Sequence, residues 1–166
     1  MKSFYKIISY LLLPPAVVYS MMVLILIAAA LANPTMLLPI FMLVGVAIYT
    51  FISFYFLVKG IDGRHKLTRS VKDWIKVNAV VTVVFALLII GQTFFYFTRP
   101  EMMHQVADQA MKQQQGGITF TKTELEKYMN IMLYVFLVHS ILLLIHIPLT
   151  LRLVKANAYL FEEPKF

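Results

Sequence analysis

Two histidines stand inside the last long apolar run of this chain, His139 and His146, seven residues apart. On a helix that spacing is two turns, so both imidazoles fall on one face, about 10 Å apart along the axis. Thr150 falls near the same face. The other polar residues in apolar surroundings include Asn78, Thr82, Gln92 and Thr93 in the third apolar run, and Tyr19 and Ser20 in the first. Ionisable groups at membrane depth are costly and turn toward neighbouring helices or water. Two chemistries compete. An imidazole hydrogen-bonded to another helix acts as packing glue. Alternatively, His139 near mid-depth, with His146, Gln92 and Tyr19, lines a site for a ligand, ion or proton.

Haem and metal sites fare worse on residue types. Bis-histidine haem ligation draws its two imidazoles from opposite faces of the iron, normally from different helices, whereas here both lie on one helix. A haem- or quinone-associated subunit is the third-ranked reading. Met102, Met103, His104 and Met111 contain the thioethers that favour copper(I), yet methionine on an apolar helix face more often fills packing gaps. Neither a metal nor a cofactor is expected. The chain has no cysteine, which removes disulfides, thiolate metal sites and thiol redox chemistry. No Asp or Glu lies inside an apolar run, and no HExxH, glycine-rich phosphate loop or Gly-x-Ser-x-Gly setting occurs. The expectation is a protein that is not an enzyme.

The elements that must position these residues follow from charge and hydropathy. No charged side chain occurs between Lys6 and Lys59, and the strong break in that stretch is Asn33 followed by Pro34. Two further apolar runs cover 77–97 and 128–151. Each run is near the length needed to cross about 30 Å of hydrocarbon. The spacing predicts spans over 7–32, 35–58, 77–97 and 128–151 in a single integral membrane domain, residues 1–166. The short Asn33–Pro34 connection makes spans one and two antiparallel neighbours. Pro14 and Pro15 predict a short interfacial lead-in over 3–13 with a bend at Pro14, leaving 15–32, about 27 Å, as the true crossing. Ala30, Leu31 and Ala32 resemble a signal cleavage site, but the apolar stretch is too long for a signal peptide and reads as an uncleaved anchor.

Tyr49, Phe51, Phe54, Tyr55 and Phe56 close span two as rings expected at the headgroup boundary. Ser70 and Asp73 look like a capping pair opening the third helix, with Trp74 at the interface. Between spans three and four, Pro100 suits a first helical turn. Met102, Met103, Val106, Ala107 and Ala110 recur at three- and four-residue spacing against Glu101, His104, Asp108 and Lys112. This predicts an amphipathic surface helix over about 100–115, ended by Gly116 and Gly117. Thr121 and Glu124 form a capping box for the last helix, which runs past Arg152 toward Tyr159.

The net charge of +7 is carried on one side. Lys2, Lys6, the 59–76 loop and the C-terminal segment hold the basic excess. Arg99, Lys112, Lys122 and Lys127 are balanced by Glu101, Asp108, Glu124 and Glu126. The positive-inside rule places both termini and the 59–76 loop in the cytoplasm. Arg64, Lys66, Arg69, Lys72 and Lys76 are then candidates for anionic lipid headgroups on the cytoplasmic side. Nucleic acid is not an expected partner of so short a loop beside a membrane.

Pro100–Met103, the Gln-containing helix to Gln115, the glycine break and the Thr121–Met132 lead into span four together resemble a pattern in small uncharacterised four-pass bacterial membrane proteins. That resemblance implies a bacterial inner (cytoplasmic) membrane and the four-helix layout, and it implies no activity and no site residues. The sequence therefore predicts an all-α membrane protein: an antiparallel four-helix transmembrane bundle with an amphipathic extracytoplasmic helix. Its expected role is structural, accessory or regulatory, through packing with itself as a homo-oligomer or with a larger membrane complex. The alternative is a small transporter, channel or ligand-binding bundle with its site near His139.

Overall fold

The computed structural model describes residues 2–113 and 120–162. Among the described residues the fold is all-α apart from one two-residue strand pair. Four helices are long and apolar enough to cross a membrane, within Lys2–Ala28, Pro34–Asp62, Arg69–Thr98 and Lys122–Ala156. The elements are α1 (Lys2–Ala32), α2 (Leu37–Tyr55), a π-helical turn (Phe56–Asp62), β1 (Leu67–Thr68), α3 (Arg69–Thr98), α4 (Pro100–Gln113), α5 (Lys122–Ala156) and β2 (Phe161–Glu162). Large apolar side chains such as Leu24, Ile25 and Leu31 on α1 and Val77 and Val80 on α3 face outward, as expected of helices whose solvent is lipid. The chain divides into two compact units, Met1–Ala86 with Ile141–Phe166, and Leu87–Ser140.

In the first unit, Asn33 turns the chain from α1 to α2. Its side-chain oxygen accepts from the Thr35 amide at 3.1 Å and from the Thr35 hydroxyl at 2.7 Å, and Pro34 opens a one-turn 3-10 helix. Near this turn Val23 and Ala30 pack with Ile40, joined by Leu26, Leu43 and Val44. Residues early in α1 meet the end of α2 and the turn that follows it: Tyr10 approaches Phe54 edge-on at 5.1 Å, and Lys6 Nζ lies 2.7 Å from Asp62 Oδ2. That pair is half exposed, where solvent screening leaves an ion pair little weight in stability. Gly45 marks the close approach of α2 to α3, since a Cβ there would stand 2.5 Å from Val81 Cγ1.

The expected separate lead-in before Pro14 is part of one helix. Helix α1 continues unbroken through Pro14 and Pro15. The prolines remove the amides that would satisfy the carbonyls of Tyr10 and Leu11. Packing on both sides holds the helix nonetheless: Tyr5, Ile8 and Leu12 before the prolines and Ala16, Tyr19 and Val23 after them are all buried. Their three- and four-residue spacing makes one continuous stripe, so residues 2–13 run on as one helix with 15–32.

The end of α2 also departs from expectation. Tyr49 and Phe56, read as interfacial rings, are fully buried, while Phe51 and Tyr55 are exposed as anticipated. The helix widens into the π-helical turn. The Gly63 amide donates to Val58 O and the His65 amide to Lys59 O, both at 2.9 Å. Arg64 reverses the chain in a left-handed conformation at φ 54°. Then β1 pairs in parallel with β2, Leu67 opposite Phe161 and Thr68 opposite Glu162. Leu57, Leu67 and Leu160 are buried, and Phe161 stacks on Phe56 at 5.6 Å. A Cβ on Gly60 would meet Leu67 Cδ1 at 3.0 Å and the Phe56 ring at 3.1 Å, so this glycine lets the two elements close. Helix α3 starts at Arg69, which places Ser70 inside the first turn and not at the cap.

In the second unit, α4 is amphipathic as predicted. Met103 and Ala107 are buried, while Glu101, His104, Asp108 and Lys112 are exposed. It is described to Gln113, and Gly116 and Gly117 lie outside the described residues. Two polar contacts tie α4 to α5: His104 Nδ1 to Glu126 Oε1 at 2.7 Å and Lys122 Nζ to Asp108 Oδ1 at 2.6 Å. The capping box forms as read. Glu124 accepts from the Thr121 amide at 2.9 Å and from its hydroxyl at 2.8 Å, and the Glu124 amide donates to Thr121 Oγ1 at 3.3 Å.

Two predictions follow from these contacts. Gly45→Ala will overpack the α2–α3 contact and destabilise by about 1–3 kcal/mol. Adding Val81→Ala will restore much of that loss, read by circular dichroism melting in detergent. The Lys122 ammonium, by donating to Asp108, holds that carboxyl below its ordinary value, with Lys112 and His104 adding to the effect. A depressed carboxyl contributes stability that is complete above its ordinary range and is lost as pH falls through the lowered value. Hydrogen exchange of α4 will therefore be slower in the wild type than in Asp108→Asn at neutral pH. The two will converge in strong acid.

Candidate functional site

The polar centre of the first unit is His146, 1% exposed, and both of its ring nitrogens are in use. Ser9 Oγ on α1 lies 2.9 Å from Nε2. Tyr49 OH on α2 lies 2.9 Å from Nδ1. Thr150, one turn along α5, lies 3.0 Å from Tyr49 OH and 3.3 Å from Nδ1. The Tyr5 ring stacks on the imidazole at 4.7 Å with planes 9° apart, and Tyr49 meets it edge-on at 5.7 Å. Tyr5, Ser9, Tyr49 and Thr150 are all buried.

The proton positions follow from bookkeeping of donors. Ser9 Oγ donates its one proton to Tyr5 O at 2.8 Å. It must then accept from His146, which puts an imidazole proton on Nε2. In the singly protonated ring Nδ1 is an acceptor, and it takes the Tyr49 hydroxyl proton. Thr150 can donate to Tyr49 OH, or to His146 O at 2.9 Å. Tyr5 OH has a looser contact, 3.4 Å from Ser53 O. The result is a directional chain from Thr150 through Tyr49 and His146 to Ser9 and the α1 backbone. It binds three helices through one side chain. Chemically it holds ring and hydroxyl positions; among the described residues no carboxylate touches it.

The residues singled out from sequence are only partly gathered here. His146 and the nearby Thr150 are in the cluster. Tyr19, 3% exposed, presents its ring edge to Phe85 at 6.1 Å. In the second unit His139 is buried. Gln92 is exposed and lines a groove of about 360 Å³ with Thr93, Tyr96, Met103 and Tyr128; His139 is not in that lining. His104 Nδ1 is taken up by Glu126 Oε1 at 2.7 Å. Among the described residues no group of three His, Asp or Glu could hold a metal. Of the basic candidates, Arg64 lies in the reversing turn, Lys66 and Arg69 flank β1, and Lys72 and Lys76 point along α3 into a groove that also takes Lys155.

Three partners of His146 were not named from sequence as site residues: Tyr5, Ser9 and Tyr49. The available signal was the placement of Tyr5 and Ser9 one turn apart, in line with Leu12 and Ala16, once the prolines are read through. No protein-family model, curated protein or solved structure matches this chain.

The geometry ranks the cluster's hydroxyls. Tyr49→Phe leaves Nδ1 with only the 3.3 Å Thr150 contact and will cost about 1–3 kcal/mol. Tyr5→Phe keeps the stack and loses only 3.4 Å contacts, so its effect will stay under about 1 kcal/mol. Melting of the two variants side by side in one detergent checks this; equal losses would refute the ranking.

Proposed function

We propose that this chain is a non-enzymatic integral membrane protein, structural, accessory or regulatory, that acts through helix packing with a second copy of itself or with a larger membrane complex. The observation that carries this reading is the enclosure of His146. The most conspicuous polar group of the last helix is fully engaged in joining α1, α2 and α5, in a contact with no open face for a substrate. A transport or ligand site would be expected to leave such a group facing water or a cavity. The rival reading, a small transporter or ligand-binding bundle, therefore rests on His139 without His146.

The same reading includes an antiparallel four-helix layout, with both termini and the 59–76 loop in the cytoplasm and α4 outside. The contacts of Tyr10 with Phe54 and of Ala30 with Ile40 support opposite directions for α1 and α2. The one-sided basic excess supports the orientation. A bacterial cytoplasmic membrane is the setting proposed.

Purification from native membranes in mild detergent is the test. A defined homo-oligomer or a stoichiometric membrane partner is the expected outcome, and a strictly monodisperse monomer with nothing bound would overturn it. In reconstituted vesicles, His139→Ala and His146→Ala are expected to change stability without creating or removing a solute flux. A flux in the wild type abolished by His139→Ala would favour the rival.

A further inference from the structure

The first unit carries a groove of about 560 Å³ between α3 and α5. Its lining repeats at the same spacing on both helices. On α3 it is Lys72, Lys76, Ala79, Val80 and Val83; on α5 the matching stripe is Ile147, Leu151, Val154 and Lys155, continued by Ala158 just past the helix end. The α3 lysines precede its apolar wall, and Lys155 follows that of α5. The pairing of β1, just before α3, with β2, just after α5, brings the start of α3 and the end of α5 together. All three ammonium groups therefore share one end of the groove. From Lys76 to Val83 the wall runs about 10 Å down the helix axis. Among the described residues none of the three lysines is in an ion pair, in contrast to Lys6 and Lys122.

We infer that this groove is a binding site for an anionic phospholipid of the leaflet that faces the basic side of the protein. The three lysines take the phosphate, and the apolar wall takes the upper part of an acyl chain. Charge complementarity selects this occupant. A helix from another protein would bury three ammonium groups without partners, which is costly, whereas a lipid anion supplies the countercharge and leaves the headgroup wet. A free anion would use the lysines and leave Ala79, Val83 and Leu151 unmatched. The site is distinct from a diffuse basic surface because Lys155 comes from the far end of the chain and Arg64 is not part of it.

Trp74, the one tryptophan of the chain, is exposed on α3 but lies on the face opposite Lys72 and Lys76, so the reporter is placed in the groove lining by Ala158→Trp in a Trp74→Phe background. The experiment reconstitutes the full chain carrying this reporter in phosphatidylcholine vesicles containing brominated phosphatidylglycerol, or brominated phosphatidylcholine as the neutral control, and reads quenching of the introduced tryptophan, the reporter chain with its native lysines serving as the wild type. The wild type is expected to prefer the anionic lipid. Each Lys→Gln change at 72, 76 or 155 is expected to lower that preference by up to about fivefold, and the triple variant to abolish it. A charge-matched control, Lys2→Gln with Lys59→Gln and Arg152→Gln, is expected to keep it. Val80→Phe, which narrows the groove without altering charge, is expected to weaken it. Helix content by circular dichroism confirms that each variant is folded. Retention of the preference in the folded groove triple variant, or its equal loss in the control, would overturn the site in favour of bulk surface potential. Full relief of quenching by inorganic phosphate would assign the lysines to a free anion and overturn it as well.

Discussion

A hydrogen-bonding group placed in hydrocarbon has no water to turn to, and this constraint shapes the first unit. His146 answers it by using both ring nitrogens at once, Nε2 toward Ser9 on α1 and Nδ1 toward Tyr49 on α2. Apolar contacts between helices tolerate small slips, because one methyl group replaces another at little cost. Directional bonds do not. Moving α1 by one residue would swing Ser9 through about 100° around its helix and strand the imidazole proton. The polar cluster thus fixes the register of three helices whose remaining contacts are largely aliphatic.

The same rule explains features at the edges. Two consecutive prolines leave two carbonyls of α1 without intrahelical donors, and the helix persists because a buried stripe runs past them on both sides. At the end of α2, the backbone groups freed by the π-helical turn are taken up by the amides of Gly63 and His65. The strand pair then joins the 59–76 loop to the C-terminal segment and closes a small apolar cap of Phe56, Leu67, Leu160 and Phe161. Glycines stand where backbones approach: Gly45 against Val81 and Gly60 against Leu67. In lipid, where association relies on packing and not on expulsion of water, such close approaches carry much of the attraction.

What could be read from the residues alone was what local chemistry decides. The uncharged stretch from Lys6 to Lys59 marked the first pair of helices, and Thr121 with Glu124 marked the start of the last to the residue. The Met and Ala stripe gave α4 its buried side. The site was half legible. His146 stood out because an imidazole in an apolar run is rare, but its partners are chosen by tertiary approach. Tyr5 and Ser9 lay on the wrong side of Pro14 for a reading that let proline end a segment. Tyr49 and Phe56 looked like interfacial rings because composition cannot tell an aromatic at the end of a helix from one on its inward face. The groove lysines Lys72 and Lys76 were visible as basic loop residues, and Lys155 was counted only as C-terminal charge. The strand pair that unites them joins positions nearly a hundred residues apart.

The choice of histidine at the centre has a geometric reason. An ionised carboxylate offers acceptors only and would bring an uncompensated charge into the bundle. A serine or threonine reaches one neighbour and often returns its proton to its own helix, as Ser9 does toward the Tyr5 carbonyl. An imidazole offers a donor and an acceptor on separate edges of a rigid plane, and its faces remain free to stack. Here the edges bind α1 and α2 while one face takes the Tyr5 ring. One residue on α5 therefore orients two helices without introducing charge, and ionised groups such as Lys72, Lys76 and Lys155 are left to the helix ends. The separation of uncharged hydrogen bonding inside from charge outside is what lets so apolar a chain be specific in its packing.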